Sequence, residues 1–213
     1  MVDMTSITAS DLVGERVRKL REGRFTVRQL ADRCSELGAP ELTAATIANI
    51  ETGRRDKDTG KRRRDITIDE LLALALALDA PPLVLLMPFN GWDLLRITSR
   101  IEAPTSLALD WITGDEPPPW GDLTAWMKAA HPVLLYRQFR AAHSRVRQWL
   151  ASHEYQLPEG LQLEESPFAG LAEALNAMLG AGISPPPLPE MWVRQMRPLL
   201  KDPGRVPVQE NGE

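Results

Sequence analysis

Cysteine is almost missing from this chain: one thiol, Cys34, stands among 213 residues. A single thiol forms no intramolecular disulfide framework, so nothing argues for an oxidising compartment. His131, His143 and His153 are scattered, and with one cysteine they make no zinc ligand set. Walker and Rossmann glycine patterns are absent, and no Ser-Lys or Ser-His constellation stands out. Asp56 and Asp58 could hold a metal only against seven nearby bases. The inventory therefore supports no enzyme, and neither metal nor cofactor is expected. Long apolar runs are missing too. The longest, residues 71–78 continued by 80–87, is interrupted by Asp79, Pro81 and Pro82, which excludes a membrane span. The N-terminus lacks a basic start followed by an apolar run, so no signal peptide is expected and the expected compartment is the cytoplasm.

What is present is patterned charge. The net charge is −4, which weighs against nucleic acid until its distribution is examined. Residues 1–88 hold 14 Lys+Arg and 14 Asp+Glu, while residues 89–213 hold 11 and 15. The bases cluster twice. Arg16, Arg18, Lys19, Arg21, Arg24 and Arg28 face only Glu22, and Arg54, Arg55, Lys57, Lys61, Arg62, Arg63 and Arg64 face only Asp56 and Asp58. Phosphate binding needs local rather than global positive charge. The plain alternative for either cluster is a solvated, flexible loop.

Between the clusters lies a helix, a turn and a second helix. Thr26 can cap the first of these, which runs to about residue 37 and buries Leu30, Ala31 and Cys34. Gly38-Ala39-Pro40 is the turn. The second spans 43–52: Thr43 caps it, Ile47 and Ile50 share one face, and Ala44, Ala45, Ala48 and Asn49 point the other way. Gly53 supplies a left-handed stop. A helix with one apolar stripe and short side chains opposite fits a DNA major groove; an ordinary core helix with a polar face reads the same. Upstream, Ser10 or Asp11 caps a helix to about residue 22 with Leu12, Val13, Val17 and Leu20 inward. Downstream, Thr67 caps a fourth helix with Asp69 and Glu70 in its first turn and Ile68, Leu71, Leu72, Ala75 and Leu78 as its buried stripe. A short fifth helix over 83–86 follows Pro81-Pro82.

Four of these five helices carry motifs in a telling order. Val13-Gly14-Glu15-Arg16-Val17-Arg18-Lys19-Leu20-Arg21 is followed by Thr26-x-x-x-Leu30-Ala31. Next come Thr46-Ile47-x-x-Ile50-Glu51-x-Gly53-Arg54 and Leu71-x-x-x-Ala75-x-x-Leu78. Residues 11–88 thereby resemble the lambda-repressor/Cro-type (XRE) helix-turn-helix regulators, a resemblance that admits a phage immunity repressor and a bacterial host. It implies binding to a double-stranded DNA operator with the third helix in the major groove. The chain departs from the family pattern in a stretch from Leu30 to Ile47 about six residues longer than the compact motif. The connection between the first two helices is shorter, and the loop over 54–65 is enlarged and basic.

The resemblance matches base-reading positions to Ala44, Ala45 and Asn49. Asn49 can bond adenine bidentately, and the alanine methyls can pack on thymine methyls, or the alanines serve only as helix formers. Phosphate anchors are expected at Arg28, Gln29, Thr43, Thr46, Arg54 and Arg55, with Lys57, Lys61, Arg62, Arg63 and Arg64 tracking the backbone or entering a minor groove. Glu51 would repel phosphate, and the resemblance pairs it with Arg21 in a partly buried structural ion pair.

Residues 89–202 read as a second, mostly helical domain, between a disordered lead (1–10) and a disordered tail (203–213). Five of the six tryptophans lie beyond residue 100 and are expected to build its core. Residues 94–101 alternate like a short strand, a helix over 104–112 ends at Gly114, and another runs to Ala130. Pro132 starts a long helix to about residue 153 with Leu135, Phe139, Ala142, Val146 and Trp149 as a heptad-like seam. That seam serves intramolecular packing or a homodimer. Arg137, Arg140, Arg145 and Arg147 form a second candidate DNA-contact face, or pair with the acidic segment 159–165. Helices over 168–179 and 190–201 complete the expectation. The reading is a mainly α transcription regulator, most simply a repressor. The rivals are an antitoxin-like autoregulator whose C-terminal half binds a protein partner, and a ligand-gated regulator.

Overall fold

The computed structural model describes residues 6–56, 62, 64–89, 94–153 and 162–209. The chain is mainly helical with one small sheet, and it divides into two compact units, residues 1–118 and 119–213. The first unit contains β1 (Ser6–Thr8), α1 (Ala9–Arg21), α2 (Val27–Glu36), α3 (Ala44–Thr52), α4 (Ile68–Ala77), α5 (Pro82–Leu86), β2 (Leu94–Arg96), β3 (Glu102–Pro104) and α6 (Thr105–Thr113).

Threonine hydroxyls start the first four helices. Thr8, Thr26, Thr43 and Thr67 each accept from a backbone N–H of the first turn, and Thr26–Gln29 and Thr67–Glu70 form complete capping boxes. Each cap satisfies a donor that the helix itself leaves orphaned, at about 1 kcal/mol apiece. The helices then share one core of Val13, Val17, Leu30, Cys34, Leu42, Ile47, Ile50, Leu74, Leu78 and Leu85. The extra length between Leu30 and Ile47 does not extend α2, which stops at Glu36. It lies in the turn, where Gly38 takes φ +92° and Ala39 and Leu42 are buried.

Two expected boundaries move. The lead is not all disordered: Ile7 is buried and β1 pairs in parallel with β2, aligning Ile7 with Leu95. β2 in turn pairs antiparallel with β3, so the strand expected over 94–101 is a strand, a turn at Ile97–Ile101 and a second strand. Ile7, Leu12, Met87, Leu95, Ala103 and Ala108 form a second cluster on this sheet. Residues 94–113 therefore belong to the N-terminal unit, and the division expected at residue 88 falls at Pro118. The helical periodicity of 71–87 hid this, because Leu12 and Met87 look like ordinary helix-face residues until the sheet covers them.

The inward face of α4 also differs. Leu71, Leu74, Ala75 and Leu78 are buried, while Ile68 and Leu72 are 74% and 50% exposed. An i, i+3, i+4, i+7 set anchored on Leu71 fits one helix face, and Ile68 and Leu72 lie off it. Just past α4, Asp79 adopts φ 53°. Its carboxylate accepts from both Arg24 and Arg33, whose guanidiniums each lie 5.0 Å from the centre of the Phe25 ring.

The second unit is built on α7 (Leu123–Ser152), α8 (Pro167–Gly180) and α9 (Glu190–Met196). α7 is continuous through Pro132, where two helices were expected. An interior proline removes one N–H donor and costs about 3 kcal/mol, but strong helix formers flank it: Met127, Lys128, Ala129 and Ala130 before, Leu134, Leu135, Arg137 and Gln138 after. The expected seam ends on Leu150 rather than Trp149, which is only partly buried: Leu135, Phe139, Ala142, Val146 and Leu150 pack within the unit against Phe168, Leu171, Leu175 and Met178 of α8. Trp192 is buried here and Trp149 packs partly against the cluster. Trp120 is exposed and Trp111 sits on α6 of the other unit, so the tryptophans do not form one core. α9 gives way to a 3-10 turn at Arg197–Leu199, since Pro198 has no N–H to continue it. The tail folds back as far as Gln209: Val206 is buried, and Leu188 donates to Pro207 O and accepts from Gln209 N.

A fragment ending at residue 88 strips off the strands and helix that cover Leu12 and Met87, both fully buried. Exposing two such side chains costs about 1.5–3 kcal/mol each. Thermal melts of residues 1–88 and 1–118 will show the shorter fragment markedly less stable, and equal melting temperatures would contradict the boundary at Pro118.

Candidate nucleic-acid interface

α3 presents two faces set by its sequence. Ile47 and Ile50 are buried against the core, while Ala45 and Asn49 are exposed and Ala44, Thr46 and Ala48 are partly exposed. The exposed side is thus short and uncharged, with Asn49 as its bonding side chain. At its C-terminal end Gly53 takes φ 59° and closes the helix. Glu51, which would repel phosphate on this helix, is tied inward. Arg21 Nε and Nη2 donate to its two carboxylate oxygens at 2.6 and 2.8 Å, and Arg21 Nη1 donates to Phe25 O at 3.0 Å. The two side chains are 13% and 6% exposed, and the pair is partly buried, as the resemblance implies.

The threonine anchors turn out to be occupied. The Thr46 hydroxyl donates its one proton to Glu41 O at 3.1 Å, so in the 2.9 Å contact between the hydroxyls Thr43 must be the donor. Neither hydroxyl keeps a proton for a phosphate, and both serve the turn that positions α3. On α2, the Gln29 carboxamide oxygen accepts from Thr26 N at 2.8 Å, which leaves its NH2 group as the donor end. Arg28 and Arg54 are exposed and have no ion pair among the described residues. Beside Asn49, a cleft of about 320 Å³ is lined by Asn49, Ile50, Arg54, Arg62, Arg64, Asp65 and Ile66.

Of the described bases of the loop, Arg55, Arg62 and Arg64 are committed elsewhere. Arg62 is a structural residue rather than a phosphate contact: its side chain is 9% exposed, Nε donates to Asp11 at 3.2 Å and Nη2 to Ile50 O at 2.9 Å. It thereby satisfies a carbonyl in the last turn of α3. Arg55 reaches the same Asp11 carboxylate at 3.2 Å. Arg64 forms two hydrogen bonds to Glu70, at 3.1 and 2.5 Å. Burial would push the Asp11 and Glu70 carboxyls up. Thr8, Arg62 and Arg55 around Asp11, and Arg64 and Thr67 around Glu70, outweigh it and hold both below the ordinary range. Lys57, Lys61 and Arg63 lie outside the described residues.

Two residues of this node escaped sequence reasoning. Asp11 looked like a helix cap, and Gly14 like part of a motif. A Cβ on Gly14 would lie 2.4 Å from Ile50 O and 2.7 Å from Arg62 Nη2, so glycine is what lets α1 approach the end of α3. The available signal was a glycine inside a helical pattern, which points to close packing.

In the second unit, Arg140, Arg145 and Arg147 are exposed and unpaired among the described residues, and Arg137 is half-buried. α7 carries no acidic residue along its 30 residues. No ion pair joins these arginines to Glu164 or Glu165 among the described residues; residues 159–161 of the acidic segment lie outside them. Within the described residues no three metal-ligating side chains gather, and no helix is long and apolar enough to cross a membrane. No family model, curated protein or solved structure matches this chain.

Glu51→Ala leaves a buried guanidinium without its partner and will cost about 3–5 kcal/mol, whereas Arg21→Met with Glu51→Leu will recover most of that loss in denaturant titrations. Because Asp11 and Glu70 hold protons less tightly folded than unfolded, their stabilisation is full above the unfolded values, 3.8 and 4.5, and is lost as pH falls below them. Stability measured from pH 6 down to about 3 will fall, and Glu70→Gln will flatten that fall.

Proposed function

We propose that this chain is a sequence-specific, double-stranded DNA-binding transcription regulator that acts as a repressor, with α3 entering the major groove. The observation that carries the reading is the combination at α3: a short, uncharged exposed face bearing Asn49, with its one acid bound inward by Arg21. A helix with a short, uncharged outward face can bring its backbone close to the base edges.

Asn49 is the base-reading side chain, with Ala44 and Ala45 offering methyl contacts to thymine. Arg28 and the Gln29 NH2 group on α2, and Arg54 after α3, contact phosphates on either side. With the Thr43 and Thr46 hydroxyls spent and Arg62 buried, few direct contacts remain among the described residues. Shape and deformability of the DNA therefore carry part of the specificity. The unpaired arginines Arg140, Arg145 and Arg147, with Arg137 beside them on an acid-free helix, add a second contact with the phosphate backbone beyond the site that α3 reads. A charged helix face of this kind favours contact with phosphate over a small-molecule function.

Selection from a random duplex library will enrich one motif with both the full chain and residues 1–118, and the full chain will bind it more tightly. Asn49→Ala will relax specificity at one base pair by about 1–3 kcal/mol, and Arg28→Ala will weaken all sequences alike. Replacing Arg140 and Arg147 by alanine will lower the slope of log affinity against log salt by about 0.9 per lost phosphate contact. Absence of any enriched motif with either protein would sink this reading in favour of a protein partner.

A further inference from the structure

The outward face of α7 is laid out like that of α3, but more of its hydrogen-bonding groups are free. At about 100° per residue, Ala141, Ser144, Gln148 and Ala151 fall within about 40° of one line along the helix, opposite the buried seam. All four are exposed. Arginines flank that line: Arg140 and Arg147 stand about 60–80° to one side and Arg145 about 80° to the other, all exposed. Neither Ser144, Gln148 nor these three arginines make a hydrogen bond or ion pair among the described residues. On α3 the Thr43 and Thr46 hydroxyls are spent on the turn, which leaves Asn49.

Acids on the described elements do not cancel this charge. α7 itself has none, and its capping Asp122 lies about 27 Å along the axis from Arg140. α8 and α9 pack against α7, with the His143 and Trp192 rings 5.3 Å apart. On α9, Glu190 accepts from Arg194 at 3.0 Å. On α8, Glu173 stands on the side away from the buried residues, in a cleft with Asn176 and Leu199. Glu164 and Glu165 pair with none of the three arginines, and residues 154–161 lie outside the described residues.

We propose that α7 is a second base-reading helix. Residues 140–151 enter a major groove of the operator, Ser144 and Gln148 bond base edges, and Arg140, Arg147 and Arg145 hold the phosphates of the two groove walls. This rests on the DNA-binding reading above and deepens it, because arginines on phosphate alone carry no sequence information. A helix that touched only phosphate would lie outside the duplex, where nothing calls for a short centre line. Here the centre line holds two alanines, a serine and one amide, with the cations to its sides. That layout suits a groove about 12 Å wide that admits one α-helix. Gln148 can bond adenine bidentately, Ser144 can bond either kind of base edge, and the methyls of Ala141 and Ala151 can pack on thymine methyls. Ser144 and Gln148 are about 6 Å apart along the axis, so together they cover about two base pairs at 3.4 Å each. The deep, narrow major groove of A-form RNA would not take this face.

Selection from a random duplex library with the full chain tests this base by base. The native chain will enrich a motif with two separable blocks. Gln148→Ala with Ser144→Ala will flatten one block, lowering the preference for its best base pair by about tenfold, and will spare the block that Asn49→Ala flattens. Both side chains are exposed and unpartnered among the described residues, so the fold does not depend on them. The double variant will also leave the slope of log affinity against log salt unchanged, whereas loss of Arg140 and Arg147 lowers it. A motif that keeps every position in the double variant overturns the proposal and leaves the reading of α3 intact. A uniform loss of affinity without a change in preference does the same. No enriched motif with the native chain overturns both, and the arginine face then belongs to an acidic protein partner.

Discussion

The partly buried Arg21–Glu51 pair holds the first unit in register. Arg21 is the last residue of α1 and Glu51 lies in the last turn of α3, so three hydrogen bonds fix the end of one helix against the end of the other and against Phe25 O. With Ile47 and Ile50 filling the core beneath, rotation of α3 about its axis is closed off. Were the pair absent, a free carboxylate would sit at the edge of the exposed face, on the side of Ala44 and Ala48, and an unpaired guanidinium would be desolvated beside it. The same contact that orders the fold thus also clears the surface.

A second node does for the carbonyl end of α3 what that pair does for its flank. Arg62, Asp11, Gly14 and Ile50 O meet at one point, and each depends on the others: the guanidinium needs the carboxylate, and the approach of α1 needs the missing Cβ. Most arginines of the first unit are consumed in such contacts. Arg24 and Arg33 share Asp79, Arg64 holds Glu70, and Arg55 joins Arg62 on Asp11. Arg140, Arg145 and Arg147 of α7 have no such partners among the described residues, which is why a count of basic residues along the sequence misplaces the charge available to a ligand.

Local signals were legible in the sequence, and nonlocal ones were not. The caps at Thr26, Thr43 and Thr67 and the stop at Gly53 depend on residues within one turn, and each was readable from its neighbours. The Arg21–Glu51 pair was accessible only through the family resemblance, since 30 positions separate the partners. The roles of Asp11, Gly14 and Arg62 required knowing that residue 62 returns to the start of α1. The strand at Ser6–Thr8 was unreadable because its partner lies some ninety positions away and neither strand has length enough to show alternation. The inward face of α4 was misjudged because Ile68, Leu71, Leu72, Leu74, Leu76 and Leu78 offer more than one apolar stripe, and composition alone does not choose among them.

The near absence of cysteine returns as an asset. Cys34, the one thiol in the chain, is fully buried in the core beneath α2, and burial pushes its thiol above the ordinary range. Closed, it is shielded from alkylating reagents twice over, by steric exclusion and by the scarcity of thiolate. Its rate of labelling therefore clocks the opening of the first unit alone, and the second unit contributes no background. The molecule carries a built-in gauge of local unfolding, able to separate the stability of the α3 scaffold from that of everything after Pro118.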